Sequence, residues 1–177
     1  GIISDIDDTV LISHSTRVLS KLKLMVARNS KTRLPFPGVA EFYEALTLPT
    51  GKGRHPNPIF YVSSSEWNLY DFLKDFFHTQ QLPKGPFLLD RLKSGLGELV
   101  RSGGGTHLHK LEKVERLLDH FPNMSFVLIG DSGQKDADLY TRIALENPER
   151  VRAIYIRDVS SGEEEDLLKS YIRQLEP

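Results

Sequence analysis

Five short apolar runs set the rhythm of this chain. They are Ile2-Ile3 leading into Asp5, Pro58–Val62, Phe87–Leu89, Ser125–Ile129 and Val151–Ile156. Runs this short, rich in β-branched and aromatic residues, predict strands buried on both faces, as in a parallel sheet. Between them the apolar positions change to helical spacing. Val18, Leu22, Met25 and Val26 stand at i, i+4, i+7 and i+8, predicting a helix over 14–30. Val39, Phe42, Tyr43 and Leu46 predict one over 39–47. An aromatic face of Trp67, Tyr70, Phe72, Leu73, Phe76 and Phe77 predicts one over 66–78, with Ser64 or Ser65 as its cap. Further helices are predicted at 108–121, 136–146 and 163–175, the last with an acidic head. Pro and Gly break the pattern at 34–38 and 49–58, and a glycine-rich loop excursion fills about 90–107. Strand and helix alternate throughout, so the expected fold is α/β: a doubly wound, three-layer αβα domain with a central parallel sheet.

The 177 residues suit one domain, spanning 1–177, and 39% hydrophobic against 27% charged residues exclude a disordered chain. No apolar run approaches the roughly 18 residues of a membrane-spanning helix, and no signal-peptide pattern is present. The absence of cysteine removes disulfide and thiolate chemistry and is compatible with a reducing, cytoplasmic setting. The chain opens on Gly, almost on top of its densest motif, which fits a piece of something longer.

A net charge of −1 conceals a segregated distribution. Arg17, Lys21, Lys23, Arg28, Lys31 and Arg33 fall in a stretch without Asp or Glu, whereas Glu163, Glu164, Glu165 and Asp166 crowd the C-terminal region. A one-sign run is commonly a solvated face. This one begins directly after a cluster of carboxylates.

That cluster is Asp5-Ile6-Asp7-Asp8-Thr9. If the chain is still extended there, Asp5 and Asp7 point to the same side, and their repulsion is relieved by a divalent cation such as Mg²⁺. Open α/β sheets place their sites outside the carboxyl ends of the strands. Those ends carry Asp5 and Asp7, then Ser63 and Ser64, then Asp131 and Asp136, with Lys110 on the helix leading to the strand before Asp131. Carboxylates, a hydroxyl and an ammonium together supply a nucleophile, a proton donor, cation ligands and phosphate donors. That is the equipment of metal-assisted phosphoryl transfer.

The ordered set of a D-x-D-x-T opening, a hydroxyl after the second strand, a lysine and a G-D-x-x-x-x-D resembles the haloacid dehalogenase superfamily of aspartate-nucleophile phosphatases. More narrowly, Asp5–Thr9, Tyr61–Trp67, His109-Lys110, Phe126–Asp136 and Ile154–Asp158 resemble the catalytic domain of the actin-patch-type phosphatidate phosphatases. The resemblance implies that Asp5 attacks phosphorus and that Asp7 protonates the leaving alcohol and later activates water. It implies Mg²⁺ held by Asp5, the Asp7 carbonyl and Asp131, with Asp136 as a further ligand or a supporting group. Thr9, Ser63 and the Ser64 amide would face phosphate oxygens, and Lys110 would neutralise charge and keep Asp5 ionised. The basic stretch falls at about 10–36, where this superfamily inserts caps, and is too short for a closed lid.

The bland readings of the same residues stay open at this level. Ser63 is also a helix cap, Asp136 an N-cap, Asp8 a turn residue, and Lys93 or Lys113 an alternative to Lys110. Residues 17–33 either contact an anionic membrane, where each basic residue contributes about 1 kcal/mol, or simply face water. Phosphatidate is the expected substrate, with a protein or soluble phosphomonoester as the alternative; no nucleic-acid partner is expected. A receiver-like phospho-accepting module uses similar groups, but Asp7 and the G-D-x-x-x-x-D argue against it.

Overall fold

The computed structural model describes residues 1–7, 9–10, 38–49, 55–91, 105–133 and 135–159. The helices expected at 14–30 and 163–175, the basic stretch 17–33, Asp8, Lys93 and most of the 90–107 excursion lie outside these residues.

Five parallel strands form one sheet in the order β3-β2-β1-β4-β5: β1 Ile2–Asp5, β2 Ile59–Glu66, β3 Phe87–Asp90, β4 Phe126–Asp131 and β5 Val151–Arg157. Alternation along each strand decides which layer each side chain joins. Ile2 from β1, Ile59 and Tyr61 from β2, and Ile129 from β4 face one side. There they pack against Val39 and Tyr43 of α1 (Val39–Thr47) and Leu73, Phe76 and Phe77 of α2 (Tyr70–Thr79). Ile3, Phe60, Val62, Phe126 and Leu128 face the other. They meet Val114, Leu117 and Leu118 of α3 (Gly105–His120) and Leu139, Tyr140 and Ile143 of α4 (Asp136–Glu146). Two apolar clusters back to back give the three-layer α/β architecture that the alternating pattern called for.

Two boundaries differ from the sequence expectation for physical reasons. The strand expected to end at Val62 continues to Glu66, and a 3₁₀ turn over Trp67–Leu69 precedes α2. Ser64 and Ser65 therefore cap no helix; they are strand residues. α3 begins at Gly105 rather than Leu108, closing part of the excursion into helix. β3, β4 and β5 match their runs to within one or two residues, an ordinary uncertainty at element ends.

The strand order contains one switch point. β2 and β3 lie to one side of β1, and β4 and β5 to the other. The crevice beside the carboxyl ends of β1 and β4 is where such sheets hold ligands, and both strands end in aspartate.

Candidate active site

Asp5 closes β1 and is buried at 1% exposure, with its Oδ1 atom 2.7 Å from Nζ of Lys110. Lys110, equally buried, reaches it from the first half of α3 and also pairs with Oδ1 of Asp136. Asp136 opens α4, and its Oδ2 accepts the Asp131 amide at 3.4 Å. The N-cap of α4 is Lys135, which makes no side-chain cap. Asp136 thus turns inward to the lysine instead of capping its helix. Asp131 completes the group at the end of β4, fully buried.

Close packing shapes this arrangement. A Cβ at Gly130 would come within 2.5 Å of Asp136 Oδ2 and 2.8 Å of Tyr140 Cε2. Only glycine lets the first residues of α4 lie this tightly on β4. Beyond Asp131, the Ser132 amide donates to the Arg157 carbonyl at 2.9 Å, and the Ser132 hydroxyl donates to Asp158 at 3.2 Å, tying the loop to the end of β5.

Asp7 sits two residues past the nucleophile candidate, half-buried, and faces β2 rather than Lys110. Its Oδ2 accepts the Ser63 hydroxyl at 2.8 Å and the Ser65 hydroxyl at 3.2 Å. The Ser63 oxygen in turn accepts the Ser65 amide at 2.9 Å. Ser63 is therefore a fully buried site residue and not a helix cap. Ser64 is half-buried between the two. Thr9, in the turn closed by the Val10 amide on the Ile6 carbonyl, donates to Asp5 Oδ2 at 3.4 Å. Of the two lysines weighed on sequence that lie among the described residues, Lys110 is the one on Asp5. Lys113 pairs with Asp90 on the β2 side. His109 is exposed, near Glu112, and away from the cluster.

The electrostatics of the cluster are unbalanced. One carboxylate oxygen from each of Asp5, Asp131 and Asp136 can be chosen so that all lie within 4.8 Å of one another. Three buried carboxylates converge here, and Lys110 pairs with two of them. Burial pushes the Asp5 carboxyl up. Lys110 pulls it back, but Asp136 and Asp7 add their repulsion, and its pKa stays well above the usual carboxylate range. Burial also works against the Lys110 ammonium, yet Asp5 and Asp136 outweigh it and hold its pKa well above the ordinary lysine value. Both shifts say the same thing. Converging buried carboxylates favour added positive charge at this point of the fold. Hard carboxylate oxygens converging in this number suit a small divalent cation, Mg²⁺ among them.

Groups that the sequence reading passed over support these. Tyr43 of α1 shares a hydrogen bond with Ser4 Oγ, and that hydroxyl also reaches the Asp5 carbonyl at 2.7 Å. Burial pushes the phenols of Tyr43 and Tyr140 well above their ordinary value, so both stay neutral beside the carboxylates. The only hint of Tyr43 in the sequence is its place on the apolar face of α1. A largely apolar cavity of about 280 Å³ opens beside the cluster rather than over it, lined by Thr9, Phe42, Tyr43, Tyr155 and Arg157 among others.

A sequence profile of the family described as "Phosphatidate phosphatase APP1, catalytic domain" matches residues 1–158. Phosphatidate phosphatase APP1 of Saccharomyces cerevisiae is 30% identical over 172 residues, covering 93% of this chain and 28% of the yeast protein. An uncharacterized protein of Schizosaccharomyces pombe is 29% identical over 165 residues, covering 91% of this chain and 25% of its own length. The chain thus spans about a quarter of the relatives it matches. Among solved structures, one reported as the Pnkp1/Rnl/Hen1 RNA repair complex superposes with a TM-score of 0.59 at 13% identity. It covers 92% of this chain and 43% of the other, a likeness of fold alone.

Proposed function

Because this chain belongs to the family of phosphatidate phosphatase APP1 catalytic domains, we propose that it is a phosphatase that hydrolyses phosphomonoesters through an aspartyl-phosphate on Asp5, with phosphatidate as its foremost substrate. The observation that carries this reading is the buried Asp5–Lys110–Asp136 arrangement at the switch point, with Asp131 beside it and Asp7 directed at Ser63. This reading takes the arrangement as a haloacid dehalogenase-like site.

In this reading Asp5 Oδ2 attacks phosphorus and the P–O bond to the alcohol breaks. Asp7 donates its proton to the departing oxygen, so an alcohol leaves and an acyl phosphate remains on Asp5. Water then attacks the phosphorus, Asp7 takes its proton, and inorganic phosphate and the free carboxylate are regenerated. Lys110 holds the other oxygen of Asp5 and offsets the phosphoryl charge. Asp5, Asp131, Asp136 and the Asp7 carbonyl are the groups that would hold Mg²⁺, which would supply positive charge to offset phosphate oxygens and favour the ionised form of Asp5.

Ser63 has one hydroxyl proton, now given to Asp7. When a phosphate arrives, that proton can turn to a phosphate oxygen. The same motion removes a hydrogen bond that favoured the Asp7 carboxylate, and so raises its tendency to carry the proton it must donate. The neighbouring apolar cavity gives room for the non-reacting part of a lipid. The basic residues at 17–33 would hold the chain at an anionic membrane surface, a peripheral contact from the cytoplasmic side.

A substrate screen tests the proposal: phosphate release from p-nitrophenyl phosphate, soluble metabolites, a phosphopeptide and phosphatidate in mixed micelles, with and without Mg²⁺. Mg²⁺-dependent multiple turnover, fastest on phosphatidate, is expected. Stoichiometric phosphorylation without turnover would favour a phospho-accepting module, and preference for a soluble ester would remove the lipid assignment.

A further inference from the structure

Asp90 and Lys113 stand outside the carboxylate cluster and have no part in the reaction as written above, yet their side chains are only 8% and 14% exposed. Lys113 Nζ pairs with Asp90 Oδ1 and donates to the backbone carbonyl of Ser63 at 2.7 Å. That carbonyl lies where β2 leaves its register with β3. The strands pair at Tyr61↔Phe87 and Val62↔Leu88, and next at Glu66↔Asp90. Ser63, Ser64 and Ser65 therefore stand opposite Leu89 alone. Bulges of this kind re-aim side chains next to sites, and they leave backbone groups that need other partners.

Lys113 supplies such a partner from α3, one helical turn beyond Lys110. The bulge turns both the Ser63 and the Ser65 hydroxyls onto Oδ2 of Asp7. Asp90 in turn carries a buried oxygen, Oδ2, with no hydrogen-bond partner among the described residues. A buried ion pair with an unsatisfied oxygen is a poor way to gain stability, because desolvation offsets the attraction. Its effect falls on orientation instead.

We propose that Asp90 and Lys113 are positioning residues that lock the Ser63–Ser65 bulge, so that its hydroxyls are aimed at Asp7 and at an incoming phosphate. This rests on the phosphatase reading for its kinetic consequences, though not for its structural one.

The test compares wild type with Lys113→Met, Lys113→Arg and Asp90→Asn, all well below their melting temperatures and with saturating Mg²⁺. Steady-state hydrolysis of p-nitrophenyl phosphate, inhibition by inorganic phosphate and amide hydrogen exchange at Ser65 and Glu66 are measured. The Ser65 amide reports directly, since it donates to Ser63 Oγ at 2.9 Å. Misplacing a binding group by about 1 Å can cost about a hundredfold, so Lys113→Met should raise KM and the phosphate inhibition constant by about ten- to a hundredfold. It should lower kcat much less and speed Ser65 exchange, and Lys113→Arg should restore most of each. If Lys113→Met does not fold, Asp90→Asn, which keeps its shape, is read the same way. Unchanged KM and phosphate inhibition, or equal losses in the Met and Arg variants with unaltered Ser65 exchange, would overturn the proposal. If wild type hydrolyses no phosphomonoester, the phosphatase reading fails on its own. Ser65 exchange then decides: acceleration in Lys113→Met reversed by Arg supports the lock, and no change refutes it.

Discussion

Replacing Lys110 by methionine isolates the charge balance on which the site depends. Methionine keeps an unbranched stem in the same buried slot of α3 and removes only the ammonium, so packing changes little. What is lost is the ion that pairs with Asp5 at 2.7 Å and with Asp136. Breaking a buried pair from one side costs about 3–5 kcal/mol, because the partners remain buried and unbalanced. Two effects bear on that figure. Burial raises the Asp5 pKa, so once the ammonium is gone the carboxyl can take up a proton and soften the loss. Asp136 loses the same ammonium, which adds to it. The two act in opposite senses, so a net destabilisation of about 3 kcal/mol is expected in EDTA at neutral pH. For a domain of this size that corresponds to a melting temperature lower by roughly 6–12 °C.

Catalysis should suffer separately, because a fixed cation beside the reacting oxygens acts like a preorganised donor, whose removal costs about 10²–10³ in kcat. Thermal denaturation with and without Mg²⁺, and phosphate release at saturating substrate, measure the two effects independently. Lys74→Met on the exposed surface of α2 serves as the control for losing a lysine. A Lys110→Met protein that melts within about 2 °C of wild type would refute the charge-balance argument, since even the lower bound above exceeds that shift. Normal melting loss with turnover within threefold of wild type would leave Lys110 a purely structural ion.

Asp5→Asn removes one of the mutually repelling carboxylates and the nucleophile together. The metal-free protein should melt higher than wild type while turnover falls below about 1%; residual activity above that would exclude Asp5 as the attacking group. Asp131→Ala should weaken Mg²⁺ dependence far more than substrate KM, checked by Mg²⁺ titration of initial rates. Gly130→Ala should cost about 1–3 kcal/mol, through a Cβ 2.5 Å from Asp136 Oδ2, and should disturb Lys110 pairing as well. Linkage also gives a pH dependence. The raised folded-state pKa of Asp5 makes its contribution fully favourable below the unfolded carboxylate range and lost as pH rises through the raised value. Mg²⁺ should therefore raise the melting temperature more at pH 8 than at pH 5, and an equal rise at both would count against Asp5 as a ligand.

The fold was legible because strand and helix periodicities seldom conflict here, and the runs at 126–131 and 151–157 are long enough to be unambiguous. The placing of the candidate residues at strand ends was legible for a related reason. In a sheet of this topology chemistry gathers where strands end, and Asp5 and Asp131 are terminal residues of β1 and β4. Ser63 was legible as a site hydroxyl at a strand end, but the extended backbone of Ser64 and Ser65 was not. Three hydroxyl residues before an acid read locally as a helix cap, and the partners that keep the backbone extended are Lys113, 50 residues from Ser63, and Asp7, 56 residues away.

The choice between lysines failed to resolve on sequence for an instructive reason. Lys110 precedes Val114 by four residues and Lys113 precedes Leu117 by four, so both fall on the apolar stripe of α3. Two lysines interrupting a buried stripe are themselves a signal, since a buried ammonium demands a carboxylate. Spacing along a helix says that each needs a partner; only the order of strands says which. With β1 between β2 and β4, one turn of α3 reaches Asp5 through Lys110 and the β2–β3 side through Lys113. The helix thereby ties the nucleophile candidate and the hydroxyl segment to a single rigid element, which is what the proposed transfer between Asp5 and a phosphate held by Ser63 would require of its scaffold.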